Sequence, residues 1–366
     1  MSGDGAPGVR PCVQAMSAYV PGEQPREPGL LKLNTNENPY PPPDSVVAAI
    51  RAALTGERLR LYPEPTSRAV RAAIGSWLGI DPDNVVAANG SDEALAMLFR
   101  VAVPEGGLVQ YLDPSYSLYP VLAQMHAART RAIPFPLARH RFDPEQFDAA
   151  ADLTLITHPN APTGGAWPRD DLRAAARRVR GLLVIDQAYI DFGEEAADDL
   201  AAEFAHVAAV RSLSKSFSLA GLRFGFIIAR GAVRDALVKV RDSYNVDALA
   251  QAGARAAVEA WAEVRQRCRQ IAATRDRLRG ELLGRGWEVL PSAANFLCTR
   301  PPGPPARWWK DALRRERVLV RHFDLPLTRD WLRITVGRPE DMTRLLTLVD
   351  GLAAQAAARV GGGDDR

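Results

Sequence analysis

At 366 residues, 47% of them hydrophobic and 24% charged, the chain has the make-up of a globular protein large enough for two lobes. A formal net charge of +3 against 43 acidic residues is too balanced to argue for nucleic acid. No apolar run approaches a membrane span, the first thirty residues lack a signal-peptide core, and Cys12, Cys268 and Cys298 fit no disulfide or zinc spacing, so a reducing cytoplasm and no metal are expected. Residues 1–43, rich in Gly and Pro, read as an N-terminal arm lying on the body or on a partner subunit, with Pro39 and Pro41 to Pro43 opposing regular structure. Asp44 is expected to cap a helix through about Leu54, residues 60–65 to be extended, and Thr66 to cap a helix through Trp77.

From there short apolar runs at 85–88, 108–112, 131–135, 153–157, 182–185, 207–210 and 224–229 alternate with helical stretches at 91–103, 116–127 and 169–179. Continuous rather than alternating apolar runs suit a largely parallel sheet covered by helices on both faces, an α/β domain over 44–250. A long Ala- and Arg-rich helical stretch to about 283 then leads into a second lobe within 251–366. There 287–290, 295–299, 318–320 and 331–336 read as strands, and 305–315 and 339–358 as helices.

Ligands of open α/β sheets sit beyond the carboxyl ends of the strands, so the loops there carry the argument. Gly90-Ser91-Asp92 opens a helix and can offer free amides to an anion, or simply cap. Tyr116 can stack on a planar ring or pack on its own helix. Asn160 is held in one pose by Pro159, Pro162, Gly164 and Gly165, while its neighbour His158 reads as structural. Asp186 leaves an apolar strand, where a carboxylate is costly unless a cation such as a protonated pyridine receives it; Tyr189 is three residues on. Lys32, Lys215, Lys239 and Lys310 are the only lysines, and Lys215 lies in a run of hydroxyls eight residues before Arg223. A lysine there suits a Schiff base, and the hydroxyls and arginine suit a phosphate; together they suit pyridoxal phosphate. Arg333 and Arg321 stand in or beside apolar strands, where a guanidinium meets a carboxylate or phosphate, internal or bound.

In this order the pieces resemble the fold type I pyridoxal phosphate enzymes, and more closely the histidinol-phosphate aminotransferases. The motifs are Asn36-Glu37-Asn38-Pro39, Tyr62-Pro63, Gly90-Ser91-Asp92-Glu93, Pro159-Asn160-Ala161-Pro162-Thr163-Gly164, Asp186 with Tyr189, Ser212-Leu213-Ser214-Lys215 with Arg223, and Leu332-Arg333-Ile334-Thr335-Val336-Gly337. The resemblance spans from about Tyr19 to the last helix and implies a large, mostly parallel domain plus a smaller α+β C-terminal domain. It implies that Lys215 holds pyridoxal 5'-phosphate and shuttles a proton, with Asp186 on the ring nitrogen, Asn160 and Tyr189 on the phenolate oxygen and Tyr116 stacked on the ring. Ser212, Ser214, Arg223 and the loop Gly90, Ser91 and Asp92 would hold the phosphate. Tyr62 would reach the phosphate of a neighbouring subunit in a homodimer, and Arg333, Arg321, Tyr19 and Asn38 would meet the substrate.

Two positions depart from the family pattern: Gln187 replaces the usual acid after the cofactor aspartate, and His158 precedes Pro159-Asn160-Ala161 without a second asparagine. The activity implied is transfer of an amino group from L-histidinol phosphate to 2-oxoglutarate by a ping-pong cycle in histidine biosynthesis. Another aromatic or general amino-acid aminotransferase, a threonine-phosphate decarboxylase-like enzyme, and a non-catalytic cofactor-binding regulator are the alternatives.

Overall fold

The computed structural model describes residues 8–18, 22–25, 27–137, 141–193 and 195–361. Its strands in chain order are β1 (Leu31–Leu33), β2 (Val85–Ala88), β3 (Leu108–Asp113), β4 (Arg129–Pro134), β5 (Leu153–Thr157), β6 (Leu182–Asp186), β7 (Val207–Ser212) and β8 (Gly225–Ile228), followed by β9 (Glu288–Val289), β10 (Phe296–Arg300), β11 (Val318–His322) and β12 (Leu332–Thr335). Seven form one sheet in the order β2-β8-β7-β6-β5-β3-β4. It is parallel from β7 to β4, and β8 runs antiparallel to both of its neighbours.

From β2 to β3 both faces of this sheet are buried, and only the edge strand β4 is largely exposed, which explains the apolar runs of the inner strands. Side chains alternate between faces along a strand. Thus Leu183 and Ile185 of β6 enter one core with the helices at Asp44–Ala53, Arg68–Leu78 and Ala248–Glu259. Leu182 and Val184 enter the other, with the helices Gly90–Ala102 and Leu118–Met125. The second sheet, β1-β11-β12-β10-β9, packs on the helices Ala306–Arg315 and Pro339–Gly361 around Trp287, Trp309 and Leu313.

Three elements differ from the expectation. The arm contains a strand, since Leu31–Leu33 pairs in parallel with Val318–Val320. The stretch after 247 is two helices, Ala248–Glu259 and Trp261–Gly284, parted at Ala260. The first packs on the helices at 44–53 and 68–78. The second passes between lobes, with Val264, Cys268 and Ile271 in the large core and Leu278 and Leu282 in the small one. Finally, neither Asp44 nor Thr66 caps as expected. Pro43 occupies the first cap without a side-chain bond, and at the second Glu64 accepts from the Arg68 amide at 2.6 Å. No helix among the described residues is long and apolar enough to cross a membrane.

Candidate functional site

The sheet topology brings the site together. Strands β2, β3, β5, β6 and β7 all end on one edge, and β8 begins there. The loops at that edge hold Gly90 to Asp92, Tyr116, Asn160, Asp186 to Tyr189, and Ser212 to Arg223. They enclose a cavity of about 340 Å3 lined by Ser91, Asp92, Tyr116, Asp186, Tyr189, Lys215 and Arg223 from the large lobe. Arg321, Phe323 and Arg333 line it from the small lobe, and Asn34, Thr35 and Asn36 from the arm.

Asp186 ends β6 with its carboxylate buried. Its Oδ2 accepts from the Tyr119 hydroxyl at 3.0 Å and its Oδ1 from the Ala188 amide at 3.2 Å. Burial pushes its pKa up from 3.8 to about 6, against those two bonds. Lys215 is half-buried, and its Nζ donates to the Thr35 carbonyl at 3.1 Å. Burial, followed by the charge of Arg333, lowers its pKa from 10.5 to about 8. An acid made less acidic and an amine made less basic thus share one cavity, the pattern of a site tuned for a bound charge or a proton transfer.

Gly90 has φ +85°, a conformation that disfavours any side chain, and a Cβ there would meet Arg223 Nη2 at 2.7 Å. Arg223 reaches over it, donating to Asp92 Oδ2 at 3.3 Å and to Ser214 Oγ at 3.3 Å. Tyr116 donates to Asp92 Oδ1 at 3.0 Å, so this carboxylate is held from two sides. Ser212 Oγ accepts from the Ser214 amide at 3.2 Å. In the small lobe Arg333 lies over Phe296 and Phe323 and donates to the Asn34 carbonyl at 2.9 Å; Arg321 also lies over Phe323, at 5.0 Å.

Two expected site residues act differently. Asn38 is turned from the cavity, and its amide donates to the carbonyls of Lys215 and Ser216, both at 3.1 Å, so it anchors the lysine loop. Asn160 spends its Nδ2 hydrogens on the Pro114 carbonyl and Thr163 Oγ1, leaving a buried Oδ1, an acceptor and not a donor, with no bond. Tyr62 is 79% exposed, stacked on Tyr244 and outside this cavity. Tyr19 lies outside the described residues.

His158 is buried and faces the Trp167 amide, with its pKa lowered to about 4 by burial, so it stays neutral. Two other side chains were not singled out from sequence. Tyr119 joins Asp186 to Thr157 Oγ1, at 2.7 Å from the latter, and is signalled only by standing three residues after Tyr116, at the start of the helix Leu118–Met125. Asn36 donates to the Tyr189 hydroxyl at 3.0 Å, while Thr335 Oγ1 donates to Asn36 Oδ1 and Asn295 to its carbonyl, tying arm, ring partner and small lobe together.

Comparison with known proteins accords with this geometry. Residues 28–349 match the family model for aminotransferase class I and II. Histidinol-phosphate aminotransferase 1 of Trichormus variabilis is 43% identical over 90% of this chain and 94% of its own. Histidinol-phosphate aminotransferase 1 of Bradyrhizobium diazoefficiens is 42% identical over 93% and 97%. Among solved structures, the histidinol-phosphate aminotransferase of Sinorhizobium meliloti in complex with pyridoxal 5'-phosphate superposes with a TM-score of 0.85 at 23% identity, covering 95% of this chain and 99% of that one. With the family model spanning most of its length and such relatives matching nearly all of it, this chain belongs to the class I and II aminotransferases.

Proposed function

We propose that this chain is a pyridoxal phosphate-dependent transaminase that exchanges an amino group between L-histidinol phosphate, the substrate carried in the names of its relatives, and 2-oxoglutarate. The observation that carries the reading is the meeting of Lys215 and Asp186 in one cavity, each with its pKa moved toward neutrality. The residues present fit the cofactor. Asp186 is a buried carboxylate that accepts hydrogen bonds from Tyr119 and Ala188 and, among the described residues, forms no ion pair, which suits a protonated ring nitrogen. Gly90 leaves room under Arg223 that a Cβ would close, beside the first amides of a helix of 13 residues.

When bound, the cofactor supplies an electron sink for the bonds at the substrate α-carbon. Lys215 Nζ, partly neutral near its pKa of about 8, is the amine that would hold the cofactor at its carbonyl carbon, with loss of water, and when free it would carry a proton. Asp186 would hold the ring nitrogen in its protonated form. Tyr189 accepts from Asn36, which leaves its own hydrogen to donate into the cavity towards the ring oxygen. Tyr116 would cover the ring, and the backbone amides of Ser91 and Asp92 with Ser212, Ser214 and Arg223 would receive the phosphate. Arg333 and Arg321 take the anionic groups of amino donor and keto acceptor in turn, which suits a dicarboxylate alternating with a phosphomonoester.

Two copies would complete the site. Tyr62 faces outward, with Leu59 and Leu61 also exposed beside it, which supports a contact that carries this tyrosine to a partner's phosphate. The free thiols of Cys12, Cys268 and Cys298 suit a reducing, cytoplasmic setting.

The test is turnover. Purified protein should be yellow, lose its visible band in Lys215→Ala, and transaminate histidinol phosphate faster than phenylalanine, with threonine phosphate left undecarboxylated. Preference for phenylalanine would displace the substrate, and a protein that never binds the cofactor would displace the whole reading.

A further inference from the structure

Three residues that line the cavity are each followed within two positions by a polar side chain that does not. Gln187 follows Asp186, Asp191 lies two beyond Tyr189, and Ser216 follows Lys215. Behind the cavity these side chains meet in one chain of bonds. Gln187 Nε2 donates to Asp198 Oδ1 at 2.6 Å, and its Oε1 accepts from the Ala197 amide at 2.7 Å. Arg211, on β7, donates from Nη1 to Asp198 Oδ2 and from Nη2 to Asp191 Oδ1, both at 3.0 Å. Ser216 Oγ donates to Asp191 Oδ2 at 2.5 Å. Gln187, Arg211 and Ser216 are at most 4% exposed. The Arg211 guanidinium also lies 5.1 Å from the centroid of Trp77, so its plane is fixed from a third side.

We infer that Gln187, Asp198, Arg211, Asp191 and Ser216 act as positioning residues, a buried bracket that sets the pose of Lys215 relative to Asp186 and Tyr189. The physical reason is the planar fork of Arg211. A guanidinium that binds two carboxylates in one plane cannot follow one of them without releasing the other, and out of water neither release is compensated. The three loops are therefore coupled through groups that do not line the cavity. Gln187 has a part here as well. It satisfies Asp198 as a donor without adding a third carboxylate to a cluster that already holds two around one arginine.

Ser216 is the link through which this bracket holds the lysine segment by a side chain, opposite the backbone anchor provided by Asn38. The charged groups that chiefly act on the Lys215 amine are Arg333 of β12, Glu37 of the arm, Arg223 of its own segment and Asp92 of the helix Gly90–Ala102. None belongs to the bracket. A change in the lysine's titration on cutting the Ser216 bond would thus come from a change of pose, which moves the amine out of the burial that holds its pKa low.

The inference rests on the transaminase reading, and the experiment separates the two. Apoprotein is mixed with pyridoxal 5'-phosphate, and growth of the visible band is followed from pH 6 to 10. In the wild type the capture rate should reach half its maximum near pH 8. Ser216→Ala should slow capture about tenfold and move the midpoint upward by about half a unit, with the apoprotein still folded and its melting temperature lowered by only about 1–4 °C. Ser216→Thr, which keeps the hydroxyl, should restore both, and Asp191→Asn should behave as Ser216→Ala. Wild-type kinetics and midpoint in Ser216→Ala would overturn the bracket alone, as would equal slowing in the alanine and threonine variants without a shift in midpoint. Failure of the wild type to form a band would overturn the transaminase reading itself.

Discussion

Burial moves Lys215 and Asp186 in opposite senses, and each shift is also a statement about stability. For Asp186, raised from 3.8 to about 6, the folded chain keeps a proton that the unfolded chain has released. Stability therefore falls as pH rises through that window, and the penalty persists above it. Lys215 is lowered from 10.5 to about 8, so the folded chain has lost a proton that the unfolded chain still holds. Its penalty is full below pH 8 and disappears as pH rises towards 10.5. At pH 7 the cofactor-free protein bears both. At ~1.4 kcal/mol per unit the Asp186 penalty is ~3 kcal/mol, and that of Lys215, which keeps some contact with solvent, is smaller because solvent screens it. Asp186→Asn and Lys215→Met apoproteins should thus melt roughly 2–5 °C above the wild type at pH 7, while losing ~100-fold or more in turnover. The gain for Asp186→Asn should vanish below about pH 4. Differential scanning fluorimetry at pH 4 and 7 checks both signs, and a variant melting below the wild type at pH 7 would contradict the account.

Among the elements, the helix Gly90–Ala102 shows how much a single backbone position can control. Gly90 stands at φ +85° between β2 and that helix, and Arg223 crosses the space where its side chain would be. Gly90→Ala must either strain the turn or displace the guanidinium, and either change disturbs the proposed phosphate cradle. Cofactor affinity should fall about tenfold or more, with little loss of helix content, as equilibrium dialysis and circular dichroism would register. An unchanged affinity would remove Gly90 from the site. The elements also differ in how legible they were. β2 was readable to the residue because a strand buried on both faces reads as a continuous apolar run. β1 was not, since three residues make a strand only when β11 is there to pair with them. The break at Ala260 was equally hidden, because an Ala- and Arg-rich sequence suits a helix on either side and packing against two different lobes decides where it parts.

At the scale of the whole molecule the proposed dimer raises the question of which residues meet across subunits. Tyr62 is stacked on Tyr244 with ring centroids 4.4 Å apart, yet lies outside the cavity of its own chain. If it serves the other copy's site, Lys215→Ala and Tyr62→Ala subunits should complement. Mixed dimers would hold one site with an intact lysine and an intact tyrosine. Random reassortment should then restore about a quarter of wild-type activity, measured after mild dissociation and remixing of the two variants. No recovery above the sum of the separate variants would argue that each tyrosine acts within its own chain or not at all.

By itself the sequence determined the α/β class, the order of the strands along the chain and the residue types of the site. Those follow from local patterns: apolar runs, a glycine before a helix, a lysine among serines, an aspartate at a strand end. The tertiary structure alone decided which of those side chains face one another. Asn38 and Asn160 look equivalent as polar loop residues, yet the fold spends the first on the lysine loop and leaves the second with an unbonded oxygen. Tyr119 and Asn36 became partners of Asp186 and Tyr189 because strands and arm, distant in the chain, end at one edge of the sheet. Burial did the rest. A pKa depends on how much water and which charges surround a group, and that is a property of packing that no residue carries alone.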